Sequence, residues 1–111
     1  MTATGADDDI TVIDVDVDRL DAAAAPAVKT RLQTRMHGSA RKVVLNLERV
    51  AFMDSTGLGV LVSLVKMLGK DGAIAVAGVQ PPVRRLFELT RLDTVFRMTG
   101  GVEEGRAALR G

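Results

Sequence analysis

The chain has 111 residues, 47% of them apolar and only 3% aromatic, and its fifteen basic side chains nearly cancel fourteen acidic ones. A chain of this length buries roughly two-thirds of its unfolded surface, so the composition describes one globular domain, residues 1–111, with an aliphatic core. Near-neutral charge and few aromatics exclude a nucleic-acid platform, and the absence of cysteine excludes disulfides and thiolate metal sites.

Residues Met1 to Asp9 are small and polar and end in three aspartates. Thr2 to Gly5 form at best a weak edge strand. The segment has no basic region followed by an apolar stretch, so it does not read as a secretion signal. No apolar run approaches the ~18 residues of a membrane span. The expected location is the cytoplasm.

Ile10 to Val17 reads as a strand with one buried face, because Ile13, Val15 and Val17 alternate with Asp14, Asp16 and Asp18. The aspartate row is then a solvated, edge-protecting face or an acidic contact surface. From Ala22 the period becomes helical. Ala25, Val28, Leu32 and Met36 share a stripe, Asp21 is placed to cap the start and Gly38 to end it, and Pro26 sits near the beginning. Val43 to Leu47 is nearly continuously apolar, as in a central strand covered on both faces. A second helix is predicted from Gly57 to Lys70, a turn at Lys70-Asp71-Gly72, and a buried strand over Ala73–Ala77. Pro81-Pro82 opens a third helix with Val83, Leu86 and Phe87 on one face. A short strand over Thr94–Met98 and a helix over Val102–Arg110 complete the chain. The alternation predicts an α/β fold: a mixed, mostly parallel sheet of about four to five strands carrying about four helices.

The second helix is unusually apolar. At 100° per residue, Gly59, Ser63, Lys66 and Lys70 fall in one narrow arc and aliphatic residues fill a sector roughly 220° wide, whereas one sheet needs only about 100°. Either neighbouring helices cover the excess, or a partner protein grips the flank of Val60, Leu64 and Met67. Gly57 and Gly59 in the first turn imply that something approaches the backbone closely, because glycine costs a helix about 1 kcal/mol relative to alanine. A neighbouring element and an incoming chain both satisfy that condition.

Just before this helix stands Met53-Asp54-Ser55-Thr56-Gly57-Leu58-Gly59. A nucleophilic serine needs a general base. The lone histidine, His37, falls near the end of the first helix, where a charge favourable to the dipole is its ordinary role. The G-x-S-x-G elbow is also missing, so this is not an enzyme. No phosphate-cradling glycine motif occurs, and Asp7-Asp8-Asp9 lacks calcium-loop spacing, so no cofactor or metal is expected. Asp54, Ser55 and Thr56 can each cap a helix, but capping does not need three in a row. A hydroxyl at a helix N-terminus is instead a place where a phosphoryl group can sit among the backbone N–H groups.

Residues 43–64, VVLNLERVAFMDSTGLGVLVSL, resemble the signature of STAS domains, and closely that of bacterial anti-sigma factor antagonists. LDAAAAPAV from Leu20 resembles their first strand-to-helix junction, and GVQPPVRRLFELTRLDTVF from Gly78 their third helix and following strand. The resemblance covers nearly the whole chain. It implies a STAS-type fold and a non-enzymatic switch. The unphosphorylated form binds an anti-sigma factor that is also a serine kinase, and the sigma factor is released. Phosphorylation, which falls here on Ser55, turns binding off, and a separate phosphatase restores it. Asp54, Thr56, Gly57, Leu58, Gly59 and Val60 match the partner-facing loop and helix start, and Asp21 an acidic position beside the serine. Two positions depart from the pattern: Asp18 and Arg91 stand where the family commonly has glycine, and both bear on which partner is recognised. The alternative is a structural STAS subunit of a lipid-transport ATP-driven complex, in which the same motif is a docking surface without phosphorylation.

Overall fold

Four short strands form one sheet in the computed structural model, which describes residues 10–36 and 41–110. They are β1 (Ile10–Asp14), β3 (Lys42–Asn46), β5 (Ala73–Ala77) and β6 (Arg97–Thr99), in that spatial order. Two-residue strands β2 (Arg19–Leu20) and β4 (Phe52–Met53) pair separately. Every ladder among the described residues is parallel. Parallel neighbours require crossovers, and right-handed crossovers repeated in one direction put the connecting helices on one face. These helices are α1 (Ala25–Arg35), α2 (Ser55–Leu68) and α3 (Pro81–Leu89), and their apolar residues join Ile13, Val43, Leu45, Ile74 and Val76 in the main core. The other face takes only α4 (Val102–Arg110), whose Leu109 packs on Val44, Ala75 and Ala77. Small side chains on that face of β5 allow α4 to lie close to the sheet.

Strand β3 is central, and Val43, Val44 and Leu45 are fully buried on its two faces, each contributing about 1.5–3 kcal/mol. Phe87 of α3 meets Phe96 edge-on, with ring centroids 5.4 Å apart.

Several boundaries differ from the sequence expectations. The strand predicted over Ile10–Val17 ends at Asp14, although Val15 N–H still donates to the Asn46 carbonyl at 3.0 Å. The chain then leaves the sheet to make β2, a pairing too short to carry any period. Helix α1 starts at Ala25, not Ala22, because Ala22–Ala24 form a turn and Asp21 caps that turn. Helix α2 runs Ser55–Leu68, two residues earlier at each end than expected, since Asp54 is its N-cap and Gly69 turns left-handed at φ 74°. The last strand begins at Arg97 because Leu92–Thr94 first form a 3₁₀ turn. The segments Ala73–Ala77 and Val102–Arg110 form as predicted. The weak strand at Thr2–Gly5, the triple aspartate, His37 and Gly38 lie outside the described residues.

Arg91 is the one non-glycine residue with positive φ among those described, at φ 63° and ψ 18°. It follows α3, where Thr90 N–H donates to Leu86 O and Arg91 N–H to Glu88 O. A helix commonly ends on such a left-handed residue, usually glycine. A residue with a Cβ is disfavoured there by roughly 1–2 kcal/mol. Arg91→Gly is therefore expected to stabilise the fold by about 1 kcal/mol, a rise in Tm of roughly 4 °C by thermal denaturation.

Candidate functional site

The site is assembled by Asp54. Its backbone is extended and its Oδ1 accepts the N–H of Gly57 at 2.9 Å, while its carbonyl accepts Leu58 N–H at 3.0 Å. This is the ordinary N-cap geometry. The second carboxylate oxygen does something else: Oδ2 accepts the N–H of Ala22 at 3.1 Å, and Asp54 N–H donates to Leu20 O at 3.3 Å. One carboxylate thus starts α2 and ties it to the Leu20–Ala24 turn. Asp54→Ala is expected to cost about 1–2 kcal/mol, from the cap and the lost tether together. Asp54→Asn should cost less, since its amide oxygen still caps but its NH₂ cannot accept from Ala22. Urea denaturation of the two variants checks the order.

Asp21 lies on the tethered turn. Its Oδ1 accepts Ala24 N–H at 3.1 Å and its Oδ2 faces Arg19 Nε at 3.4 Å. The Ala24 hydrogen bond, with Arg19 assisting against a partial burial penalty, holds this carboxyl below its usual pKa. The Arg19 guanidinium also stacks over Phe52, 4.3 Å from the ring centroid. Asp21 and Asp54 therefore present two carboxylates beside the start of α2.

The two glycines separate in role. A Cβ at Gly57 would lie 2.1 Å from the Leu20 carbonyl oxygen, so Gly57 is there because β2 crosses the helix at backbone contact. A Cβ at Gly59 would meet nothing within 4 Å. Gly59 is exposed on the outer surface of α2, and the folded chain makes no use of its missing side chain.

Ser55 and Thr56 are both exposed in the first turn, Ser55 as the first helical residue. First-turn N–H groups have no intrahelical acceptor, so a phosphate on Ser55 would sit at the positive end of the α2 dipole. Two open grooves flank the ridge. One, of about 440 Å³, is lined by Ser55, Leu58, Gly59, Val62, Ser63 and Lys66 with Thr90 and Leu92 beyond α3. The other, of about 390 Å³, lies between Thr56, Gly59 and Val60 and the start of α1 at Ala25, Pro26 and Lys29. Both share Gly59.

The excess apolar surface of α2 is mostly absorbed internally. Val60 and Leu64, on the flank considered for a partner, are buried in the main core with α1 beside them, and only Met67 stays exposed, at 49%. Of the two coverings the sequence allowed, the neighbouring helix is the one found here: α1 covers this flank. Leu58 is likewise buried, showing the grooves only an edge. Sequence reasoning also missed the far walls, Pro26 and Lys29 on one side and Thr90 and Leu92 on the other, because residues so distant in the chain share no spacing with α2.

The aspartate row is engaged rather than merely solvated. Asp16 and Asp18 both hold the guanidinium of Arg49, with Asp18 Oδ1 2.9 Å from Nε, and Asp14 accepts from the Asn46 amide at 3.0 Å. Asp18 has no left-handed backbone, and its carbonyl accepts the N–H groups of Ala51 and Phe52. Among the described residues no group of three or more His, Cys, Asp or Glu is placed to hold a metal ion, and no helix is long and apolar enough to cross a membrane.

The chain is similar to known proteins. The family model described as STAS domain matches residues 3–105. The anti-sigma-B factor antagonist of Staphylococcus aureus is 35% identical over 85 residues, 76% of this chain and 79% of that protein. An anti-sigma-factor antagonist (STAS) domain protein from Planctomyces limnophilus superposes with a TM-score of 0.85 at 26% identity, covering 92% of each chain. The unphosphorylated form of the anti-sigma factor antagonist SpoIIAA superposes with a TM-score of 0.76 at 27% identity, covering 92% of this chain and 89% of the other.

Proposed function

The chain belongs to the STAS domain family, and on that premise we propose that it is an anti-sigma factor antagonist controlled by phosphorylation at Ser55. The relative and the two structures compared above are named as anti-sigma factor antagonists. The unphosphorylated protein binds an anti-sigma factor that is also a serine kinase, and so frees the sigma factor in the cytoplasm. The kinase then transfers phosphate to Ser55, and a phosphoserine phosphatase removes it.

The observation that carries this reading is the ridge at the start of α2. An exposed hydroxyl at Ser55 stands one turn before Gly59, whose backbone is open to solvent with no internal reason to lack a side chain. A surface glycine within a helix is destabilising by roughly 0.5–1 kcal/mol relative to alanine. A partner that must reach the backbone between the two grooves accounts for it. Asp21, Asp54, Thr56, Leu58 and Val60 frame the same surface. Gly57 supports it indirectly, by letting β2 hold the Asp21 turn against the helix.

The test is phosphate transfer. The protein is incubated with the cognate anti-sigma kinase and ATP, and the products are mapped by mass spectrometry. One phosphate on Ser55 is expected. Incorporation at Thr56 alone, or none at all, overturns the reading.

A further inference from the structure

The groove that contains Ser55 is lined mostly by apolar surface, with one cation, Lys66, in its lining and a second, Arg91, between two lining residues in the chain. Leu58, Val62 and Leu92 supply apolar lining. Arg91 stands between Thr90 and Leu92, both of which line the groove, and is itself exposed. Among the described residues neither Lys66 nor Arg91 has a side-chain hydrogen bond or ion pair. Next to Arg91 the surface carries two bare aliphatic side chains, Leu89 at 72% exposure and Val95 at 48%.

Arg91 is the residue whose identity folding does not explain. The end of α3 needs a left-handed residue, and glycine would fill the position without strain. Arginine is held there at φ 63° with no partner for its charge among the described residues. A strained residue at the edge of a binding surface points to a role in binding.

Resting on the antagonist reading above, we propose that Arg91, with Lys66, is the specificity determinant of this surface, selecting a kinase segment that carries carboxylates beside aliphatic side chains. Charge complementarity at an interface rim sets partner choice and association rate. The same arrangement gives the switch its electrostatic part. A phosphate on Ser55 enters the groove with the same sign as the carboxylates that Arg91 and Lys66 attract.

The kinase retrieved with Ser55→Ala bait is purified and its association and dissociation rates are measured for wild type, Arg91→Gln, Arg91→Gly, Arg91→Glu and Lys66→Gln at low and high salt. Arg91→Gln keeps the left-handed strain and loses only charge. It should bind roughly three- to tenfold more weakly at low salt, mostly through slower association, with the difference shrinking at high salt. Arg91→Gly should be more stable yet equally weak, and Arg91→Glu weaker than either. Arg91→Gln with wild-type affinity and salt dependence overturns the proposal. Ser55→Asp in the same assay tests the antagonist reading separately: undiminished binding of that variant sinks the switch, whatever Arg91 does.

Discussion

Gly57→Ala is expected to destabilise the protein by about 3 kcal/mol or more, and Gly59→Ala, two positions further along the same helix, to stabilise it by about 0.5–1 kcal/mol. The two substitutions add the same methyl group to nearly opposite sides of α2. At Gly57 the new Cβ falls 2.1 Å from Leu20 O. That oxygen belongs to the backbone, and it is held by Asp54 N–H and by the β2–β4 pairing. Relief requires β2 to move, which breaks the Asp54–Ala22 hydrogen bond and carries the Asp21 turn away from the serine. At Gly59 the Cβ enters open space and the helix loses a flexible residue. Urea denaturation midpoints measure both effects. Kinase binding supplies the second half of the result: the more stable Gly59→Ala should bind at least roughly tenfold more weakly, because its methyl group stands where the partner approaches. A Gly59→Ala protein that binds as wild type does would remove the reason for assigning the ridge to a partner.

Phosphorylation of Ser55 is expected to weaken kinase binding by roughly 100-fold or more while leaving the fold intact, a loss of about 2.8 kcal/mol at 1.4 kcal/mol per decade. The phosphate brings about −1.5 to −2 charge beside Asp54 and close to the Asp21 turn. In the free protein, water and salt screen that repulsion, and the α2 N-terminus favours the anion. On docking, water leaves, the effective dielectric falls, and each like-charge pair at ~5 Å rises toward 1–3 kcal/mol. Stability and binding therefore separate. Ser55→Asp carries one charge rather than two and should give a smaller loss of affinity, with stability changed by about 0.5 kcal/mol or less. Ser55→Ala should bind constitutively. The checks are calorimetric titration for affinity and thermal denaturation for the fold. A Ser55→Asp protein whose lost binding is matched by lost folding would show structural damage instead of a switch.

Where the chain repeats a period, the kind of element and its buried face were legible, though not its exact ends. Alternating or continuous aliphatic runs marked β3 and β5, and the stripes of Val28 and Leu32 or Val83 and Phe87 marked helix faces that are buried in the main core. The arc of Gly59, Ser63 and Lys66 also lies outward, along one groove. Period-free elements were not legible. Pairs as short as Arg19-Leu20 and Phe52-Met53 become strands only because they lie against each other, and the 3₁₀ turn before β6 displaced that strand from its apparent start.

The alternation of strands and helices and the serine at a helix start follow from local chemistry: hydrophobic spacing, cap residues and the D-S-T-G-L-G string act over a few residues and need no distant partner. Other properties exist only between segments far apart in the chain. Asp54 reaches Ala22 across 32 positions, and Leu20 explains Gly57 but nothing explains Gly59. Helix α1 covers Val60 and Leu64, and Thr90 and Leu92 line a groove whose other wall begins at Ser55. Both glycines look alike in a string of letters, because what distinguishes them is the distance to an oxygen that folding alone brings within 2.1 Å.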